Sequence, residues 1–446
     1  MKFLFLNKLD SHAREILSKG AVAFILKIVG AGLAFLLQIA VARYLGASGA
    51  GLYFLALTII TLVATVARLG MDFSVVRFVA AQASENDWSK IKGVVRHAMR
   101  IALAVSLIAT AAVFFLSDRL ATDLFRKPEL ATPLKWMSLV IAPLATMMLY
   151  SSALQGLKRV RDAMLMQSVL TPLLAGVALY WLAPLFGISG AASAYGIGVM
   201  LTLVYGFWVW QRAKAPGKLS PPHFSANVLL TSSVTLLGAA FLQQIMQALP
   251  LLLLGVWGSS TDVGLFSTAQ RTAGQVSLVL IAANIIVAPK IAELYQQKDM
   301  AALGKVASHG ALLMTAMAAP ALLLFLIAPQ RVMGIFGAEF SAGWLMLVIM
   351  ALGQSVNVAT GSVGFLLVMT GHEKQLMSAL VLSTVLNFIL CIGLIPFFGG
   401  EGAALAASIS LASVNLLRVR FVWKSLHILA LPFPQIRIGR SVSINN

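Results

Sequence analysis

The chain has 446 residues, of which 59% are hydrophobic and only 11% charged, whereas soluble domains carry roughly a quarter charged residues. That deficit, with a mean hydropathy of +0.90, excludes a water-soluble enzyme, a disordered protein and a nucleic-acid binder, and leaves a polytopic membrane protein whose apolar surface faces lipid. The net charge of +18, from 33 Lys and Arg against 15 Asp and Glu, reads first as a topology signal, because cytoplasmic loops collect Lys and Arg, and the single cysteine, Cys391, excludes a disulfide framework and a multi-thiolate metal site.

Residues 1–20 open the chain with Phe3, Leu4, Phe5, Leu6 and Leu9 followed by Asp10, His12, Arg14, Glu15 and Lys19. No small-residue cleavage site follows, so the segment reads as an interfacial amphipathic helix rather than a cleavable signal. Long continuous apolar runs then follow. A barrel strand would alternate apolar and polar residues over about ten positions, and in hydrocarbon a continuous run satisfies its backbone only as a helix. At about twenty residues per span, the expected helices lie near 21–43, 51–69, 98–117, 136–155, 164–183, 188–210, 227–257, 263–288, 308–328, 342–370, 375–397 and 402–423. The fold class is therefore an all-α polytopic membrane protein of about twelve transmembrane helices. Pro250 is a candidate kink in the long seventh span.

Starting with the N-terminus in the cytoplasm, about 25 Lys and Arg fall on the cytoplasmic side and only Arg43, Arg119, Arg126, Lys127, Lys135 and Arg331 on the other. Both termini are then cytoplasmic, and the number of spans is even.

The sequence repeats at an interval of about 212 residues. Pro184-Leu185-Phe186-Gly187-Ile188-Ser189-Gly190-Ala191-Ala192 recurs as Pro396-Phe397-Phe398-Gly399-Gly400-Glu401-Gly402-Ala403-Ala404, and Gly46 to Tyr53 is echoed by Gly258 to Phe266 with one insertion. Six spans separate the copies, so the halves are parallel repeats related by a pseudo-two-fold axis along the membrane normal. The expected organisation is an N-terminal six-helix bundle at 21–210, a Pro- and Lys-bearing cytoplasmic linker at 211–225, a C-terminal six-helix bundle at 226–424 and a cytoplasmic tail at 425–446. A cleft between two such bundles suits alternating access.

Gln38-Ile39-Ala40-Val41-Ala42-Arg43-Tyr44-Leu45-Gly46, Gly49 to Tyr53, Leu69-Gly70-Met71-Asp72 and Val76-Arg77-Phe78 resemble the first two spans of polysaccharide transporters of the multidrug/oligosaccharidyl-lipid/polysaccharide exporter superfamily. Gln155-Gly156-Leu157-Lys158-Arg159 and Val263 to Arg271 fit the same pattern, and the resemblance covers residues 21 to about 425. It implies a flippase of the O-antigen-unit or capsule type, in a cell inner membrane, carrying a sugar chain on undecaprenyl pyrophosphate between leaflets. Lipid-linked oligosaccharide and the bilayer are then its partners, with other glycan-assembly membrane proteins as further candidates. Many relatives carry an acid midway along the seventh span, where this chain has Gln247.

None of the 15 acids falls in the middle of an expected span. A cation exporter or proton relay needs a carboxylate at depth, whereas deep cations favour an anionic ligand. Two cations lie inside spans, Arg271 and Lys27. Arg271 is about 12 Å from the non-cytoplasmic end of its span and Lys27 about 10 Å from the cytoplasmic end. The planar guanidinium suits phosphate. Gln275 and Ser267 are one turn either side of Arg271, and Gln38 returns to the face of Lys27. Lys27 either enters the cleft or snorkels to headgroups. Gln243, Gln244 and Gln247 on the seventh span and Gln354 and Asn357 on the tenth either bind sugar hydroxyls or tie helices together, and Asn284, Asn387 and Asn415 read as helix ties. The expected substrate-binding set is Arg271, Lys27, Gln38, Gln275, Gln247, Gln354 and Asn357. The six histidines show no ligand spacing and no phosphate-binding glycine loop occurs, so neither metal, cofactor nor nucleic acid is expected. The alternatives are a multidrug or organic-cation exporter and a membrane-embedded polysaccharide polymerase or ligase.

Overall fold

The computed structural model describes residues 11–213, 226–429 and 431–432. Among these residues the only regular elements are helices: α1 (Ser11–Ala67), α2 (Met71–Ser84), α3 (Trp88–Arg119), α4 (Ala131–Ser138), α5 (Ile141–Gly156), α6 (Val160–Met164), α7 (Thr171–Ala213), α8 (Ala226–Trp257), α9 (Ser260–Gly274), α10 (Ser277–Gln296), α11 (Met300–Ile327), α12 (Pro329–Gly334), α13 (Trp344–Ala359), α14 (Val363–Met369) and α15 (Glu373–Leu426). Most of the expected 211–225 linker and of the tail lies outside the described residues, as do residues 1–10. From Ser11 the leading helix runs without a break into the first span.

Among the described residues seven helices are long and apolar enough to cross a membrane, or nine if each of two pairs bent by 43° and 45° counts as one span. Three of the segments are far longer than a bilayer needs: Val22–Ala67, of 46 residues, and Val160–Ala213 and Glu373–Leu426, of 54 each. About twenty residues suffice for one crossing. Each of the three contains a glycine with non-helical angles: Gly46 (φ 69, ψ 179), Gly187 (φ 55, ψ −128) and Gly399 (φ 52, ψ −127). At the last two the chain doubles back. A Cβ on Gly198 would lie 2.8 Å from the Ala175 nitrogen, and one on Gly402 would lie 3.0 Å from the Ile395 nitrogen, so each helix returns along the one before it. Counted as two crossings each, the three segments bring the nine spans to the expected twelve.

The 212-residue interval extends to features that sequence inspection passes over. Asn86 and Lys298 both take positive φ, at 57° and 58°. The next residue in each copy is the helix N-cap: Asp87 accepts from the Lys90 amide at 3.0 Å, and Asp299 from the Ala302 amide at 2.9 Å. The Lys90 amide and, after it, the Lys90 ammonium hold the Asp87 carboxyl below its ordinary range. These turns belong to the end of the bundle that carries the basic loops, here called the basic end.

At the opposite end the two halves meet backbone to backbone. Gly51, early in the second span, packs on Gly264, early in the eighth. A Cβ on Gly51 would lie 2.8 Å from the Gly264 nitrogen and closer still to the Ser260 carbonyl; one on Gly264 would lie 3.2 Å from the Gly51 nitrogen and closer still to the Ala47 carbonyl. The contact is reciprocal, as a two-fold axis between repeats requires, and only glycine permits it. The halves also touch further down, where a Cβ on Gly70 would lie 2.8 Å from the Leu237 nitrogen. One large apolar core, with Phe54, Leu55, Phe266, Phe336 and Phe340 fully buried, joins both halves. Pro250 lies inside the continuous helix α8. Between α3 and α4 a π-turn (Leu120–Leu124) and a 3-10 turn (Pro128–Leu130) leave only Phe125 to Lys127 irregular.

Gly187→Ala and Gly399→Ala should each lower the thermal midpoint of the purified protein. Neither site is crowded, so the cost is backbone strain, on the order of 1–3 kcal/mol. Gly393→Ala, inside a helix with open space around it, should be neutral or stabilising by up to about 1 kcal/mol.

Candidate functional site: a central cation between the halves

Arg271 occupies the last turn of α9, just before the helix breaks at Gln275. Its guanidinium carbon stands 4.6 Å from the centroid of the Phe54 ring on the second span. Tyr53, beside Phe54, and Tyr195 on the sixth span are its electrostatic neighbours. The cation thus sits where both halves converge, with aromatic groups from the N-terminal half around it. Among the described residues no carboxylate lies within ion-pair distance of it. The acid at the bend between α1 and α2, Asp72, is neutralised by Arg68 at 2.7 Å.

The arrangement is unfavourable for stability taken alone. A cation–π contact returns about 0.5–2 kcal/mol, while withdrawing an ion from water costs several kcal/mol. Arg271 keeps part of its surface accessible. Thr268 and Thr272 on the same helix face have buried hydroxyl oxygens without a protein partner, as has the Gln38 amide oxygen on the first span. Gln275 is half-buried and donates Nε2 to the Arg271 carbonyl at 3.4 Å. Ser267 is fully buried and bonds back to the Gly264 carbonyl at 3.1 Å, so it supports the helix rather than facing outward with Arg271.

Lys27 is exposed. The exposed large apolar residues of the first span around it are Val22, Ile25, Ile28, Val29 and Leu36. At about 100° per residue, Lys27 and Gln38 lie roughly opposite the middle of that stripe. The ammonium is therefore turned away from the lipid-type face, and it is nearer the basic end than Arg271.

The amides divide into two groups. Gln243 and Gln247 are exposed one turn apart on α8, and Gln270 donates to the Gln247 carbonyl at 3.1 Å, which sets that turn of α8 against the last turns of α9. Gln354 and Asn357 are instead occupied by neighbouring helices. Gln354 accepts from Ser277 at 3.1 Å and from Asn357 at 3.0 Å, and Asn357 accepts from Asn415 at 3.0 Å. Ser362 bonds Asn284, and Asn387 donates to the Met246 carbonyl at 2.7 Å. The three asparagines read as ties do cross between helices, and Gln354 and Asn357 join them in that role.

Sequence reading did not single out Tyr53, Phe54 or Tyr195. The repeat alignment offered a signal, since Tyr53 aligns with Phe266, but nothing in it brings Tyr195 to the second span. No group of three or more potential metal ligands occurs among the described residues.

Comparison with known proteins supplies context. Residues 16–295 match a family described as polysaccharide biosynthesis protein. The chain is 26% identical over 413 residues, 90% of its own length and 82% of the relative's, to a Haloferax volcanii protein named probable low-salt glycan biosynthesis flippase Agl15. In structure it is similar to the lipid II flippase MurJ in an inward closed conformation, with TM-score 0.72, 13% identity, and 90% and 87% of the two chains covered. It is also similar to an inward-facing multidrug resistance MATE family transporter of the MOP superfamily, with TM-score 0.70, 16% identity, and 92% and 98% covered. A MOP superfamily transporter from Pyrococcus furiosus, described as having a binding pocket of reversed polarity, gives TM-score 0.67 at 16% identity, with 96% and 98% covered. These likenesses establish a shared helical transporter fold.

Because Arg271 costs stability where it stands, Arg271→Met should leave the thermal midpoint of the purified protein unchanged or raise it. A large fall would mean that the guanidinium holds the fold together.

Proposed function

The chain belongs to the polysaccharide biosynthesis protein family, and from that premise we propose that it is a flippase that moves polyprenyl-pyrophosphate-linked oligosaccharide units from the cytoplasmic to the outer leaflet by alternating access. The observation that carries this reading is the uncompensated cation between the halves. A guanidinium with no carboxylate in reach among the described residues, held over Phe54 and flanked by two tyrosines, suits a pyrophosphate bidentately. Tyr195, which keeps part of its surface accessible, suits a sugar ring. Lys27, nearer the basic end and turned away from the apolar stripe, serves as the first contact for the pyrophosphate, and Arg271 as the deeper one. Gln38, Gln275 and Gln247 contact the sugars, while the polyprenyl tail remains in lipid.

Under this reading the bundles at 21–210 and 226–424 rock against each other, the basic end faces the cytoplasm with both termini, and the protein resides in the inner membrane. The cargo is anionic, so a deep cation is an attraction; for a cationic drug the same residue would be a barrier. The multidrug exporter reading finds no carboxylate beside Arg271 to support it.

Arg271→Ala should abolish surface glycan, and cause lipid-linked units to accumulate in the cytoplasmic leaflet, at unchanged protein level. Arg271→Lys should retain part of the glycan, because the charge survives and the planar fork does not. Wild-type glycan from a well-expressed Arg271→Ala protein would defeat the assignment. Intact glycan with new sensitivity to cationic drugs on deletion would favour the exporter.

A further inference from the structure

Lys127 and Glu339 are separated by the repeat interval of 212 residues and carry opposite charges. Each lies in a connecting segment of its own half, and each side chain bonds to a helix junction of the other half.

Lys127 is buried, 7% exposed. Its ammonium donates to the carbonyls of Gly255 and Gly258, the latter at 2.8 Å, and to its own loop at the Phe125 carbonyl, at 3.3 Å. Gly255 and Gly258 are at the C-terminal end of α8, where unpaired carbonyls and the helix dipole favour a cation. Burial pushes the ammonium below its ordinary range, and nearby Asp262 and Glu129 oppose that shift. Glu339 makes the converse contact. Its Oε1 accepts from the Ala47 amide at 2.9 Å, at the point where the chain leaves Gly46 (φ 69) to begin the second span, so an anion meets a helix N-terminus. Every such junction offers a C-terminus and an N-terminus side by side. One copy of the loop reads the carbonyls and the other the amides, which is why opposite charges serve at equivalent places.

These contacts surround the Gly51–Gly264 crossing. Two more join them: Arg43 Nε donates to the Ile335 carbonyl at 2.9 Å, and Phe35 meets Phe336 edge-on at 5.5 Å between centroids. All of them bridge the two halves at the end opposite the basic loops. Alternating access requires that end to part once per cycle, and a backbone contact between glycines has no side chains to hold it shut.

We propose that Lys127 and Glu339 form the paired lock of the outer gate, one charge from each repeat, each holding the opposite half by a helix terminus. The lock is weak because its partners are backbone groups, carbonyls for Lys127 and an amide for Glu339, and such groups at a helix end exchange protein for water readily once the halves begin to separate. The proposal rests on the alternating-access reading above but not on the identity of the cargo.

The test is thiol accessibility in intact cells. Cys391→Ala removes the one native thiol, which is buried, and Gln275→Cys places a reporter beside the central site. A membrane-impermeant thiol reagent added outside should label this protein slowly. Lys127→Met and Glu339→Gln should each raise the outside labelling rate several-fold, and together more, while Lys127→Arg, which keeps the charge, should stay near the starting rate. Labelling in inverted vesicles, normalised to protein in the membrane, reports that each variant is folded. Glu339 is exposed, so Glu339→Gln reads one arm even where Lys127→Met fails to accumulate. Outside labelling unchanged in Glu339→Gln and in any Lys127→Met protein recovered would overturn the lock. If these variants open the gate while Arg271→Ala still yields full glycan, the lock stands and the cargo assignment falls.

Discussion

Two backbones touch where Gly51 meets Gly264, and the arrangement of the two halves follows from that contact. The crossing is reciprocal, because each glycine faces the residue four positions before its partner. Side chains at either position would force the second and eighth spans apart. The contact therefore fixes the distance between halves at one end of the molecule and leaves the space below it to be lined by whatever projects from those two helices. Phe54 and Arg271 follow Gly51 and Gly264 by three and seven residues, within two turns of the crossing. The site is a direct outcome of how closely the scaffold approaches itself above it.

Electrostatics then separates the two ends of the interior. The opposite end holds its charges in ordered contacts: Lys127 on carbonyls, Glu339 on an amide. The central Arg271 has an aromatic face and no counter-ion within reach. In a medium of low polarity that imbalance is costly, and the fold tolerates it because Arg271 keeps part of its surface accessible. A stabilising residue would have been paired. Its unpaired state is what makes it informative about cargo.

Much of this was legible in the sequence, for identifiable reasons. Spans are legible because hydrocarbon leaves the backbone no option but helix, and the repeat is legible because Gly187 and Gly399 must adopt angles that other residues rarely take. Arg271 stood out as a lone charge in an apolar run. The aromatic groups around it did not, since Tyr53 and Phe54 look like ordinary core and Tyr195 reaches the site only through the packing of the sixth span. Gln354 and Asn357 were ambiguous for a related reason: an amide that ties helices and an amide that awaits a sugar have identical sequence neighbourhoods, and only the positions of Ser277 and Asn415 decide between them. Lys127 and Glu339 escaped notice because an alignment of repeats rewards similar residues, and here the physical equivalence lies in opposite ones.

The amide chain from Ser277 through Gln354 and Asn357 to Asn415 has a mechanical meaning. It couples the eighth, tenth and twelfth spans by part-buried hydrogen bonds, and Ser277 lies only six residues beyond Arg271. A pull on the guanidinium is delivered across the Gln275 break to a stiff three-helix block instead of being absorbed by one bending helix. The C-terminal half is thus built as a lever arm, and the load on it is applied close to its fulcrum.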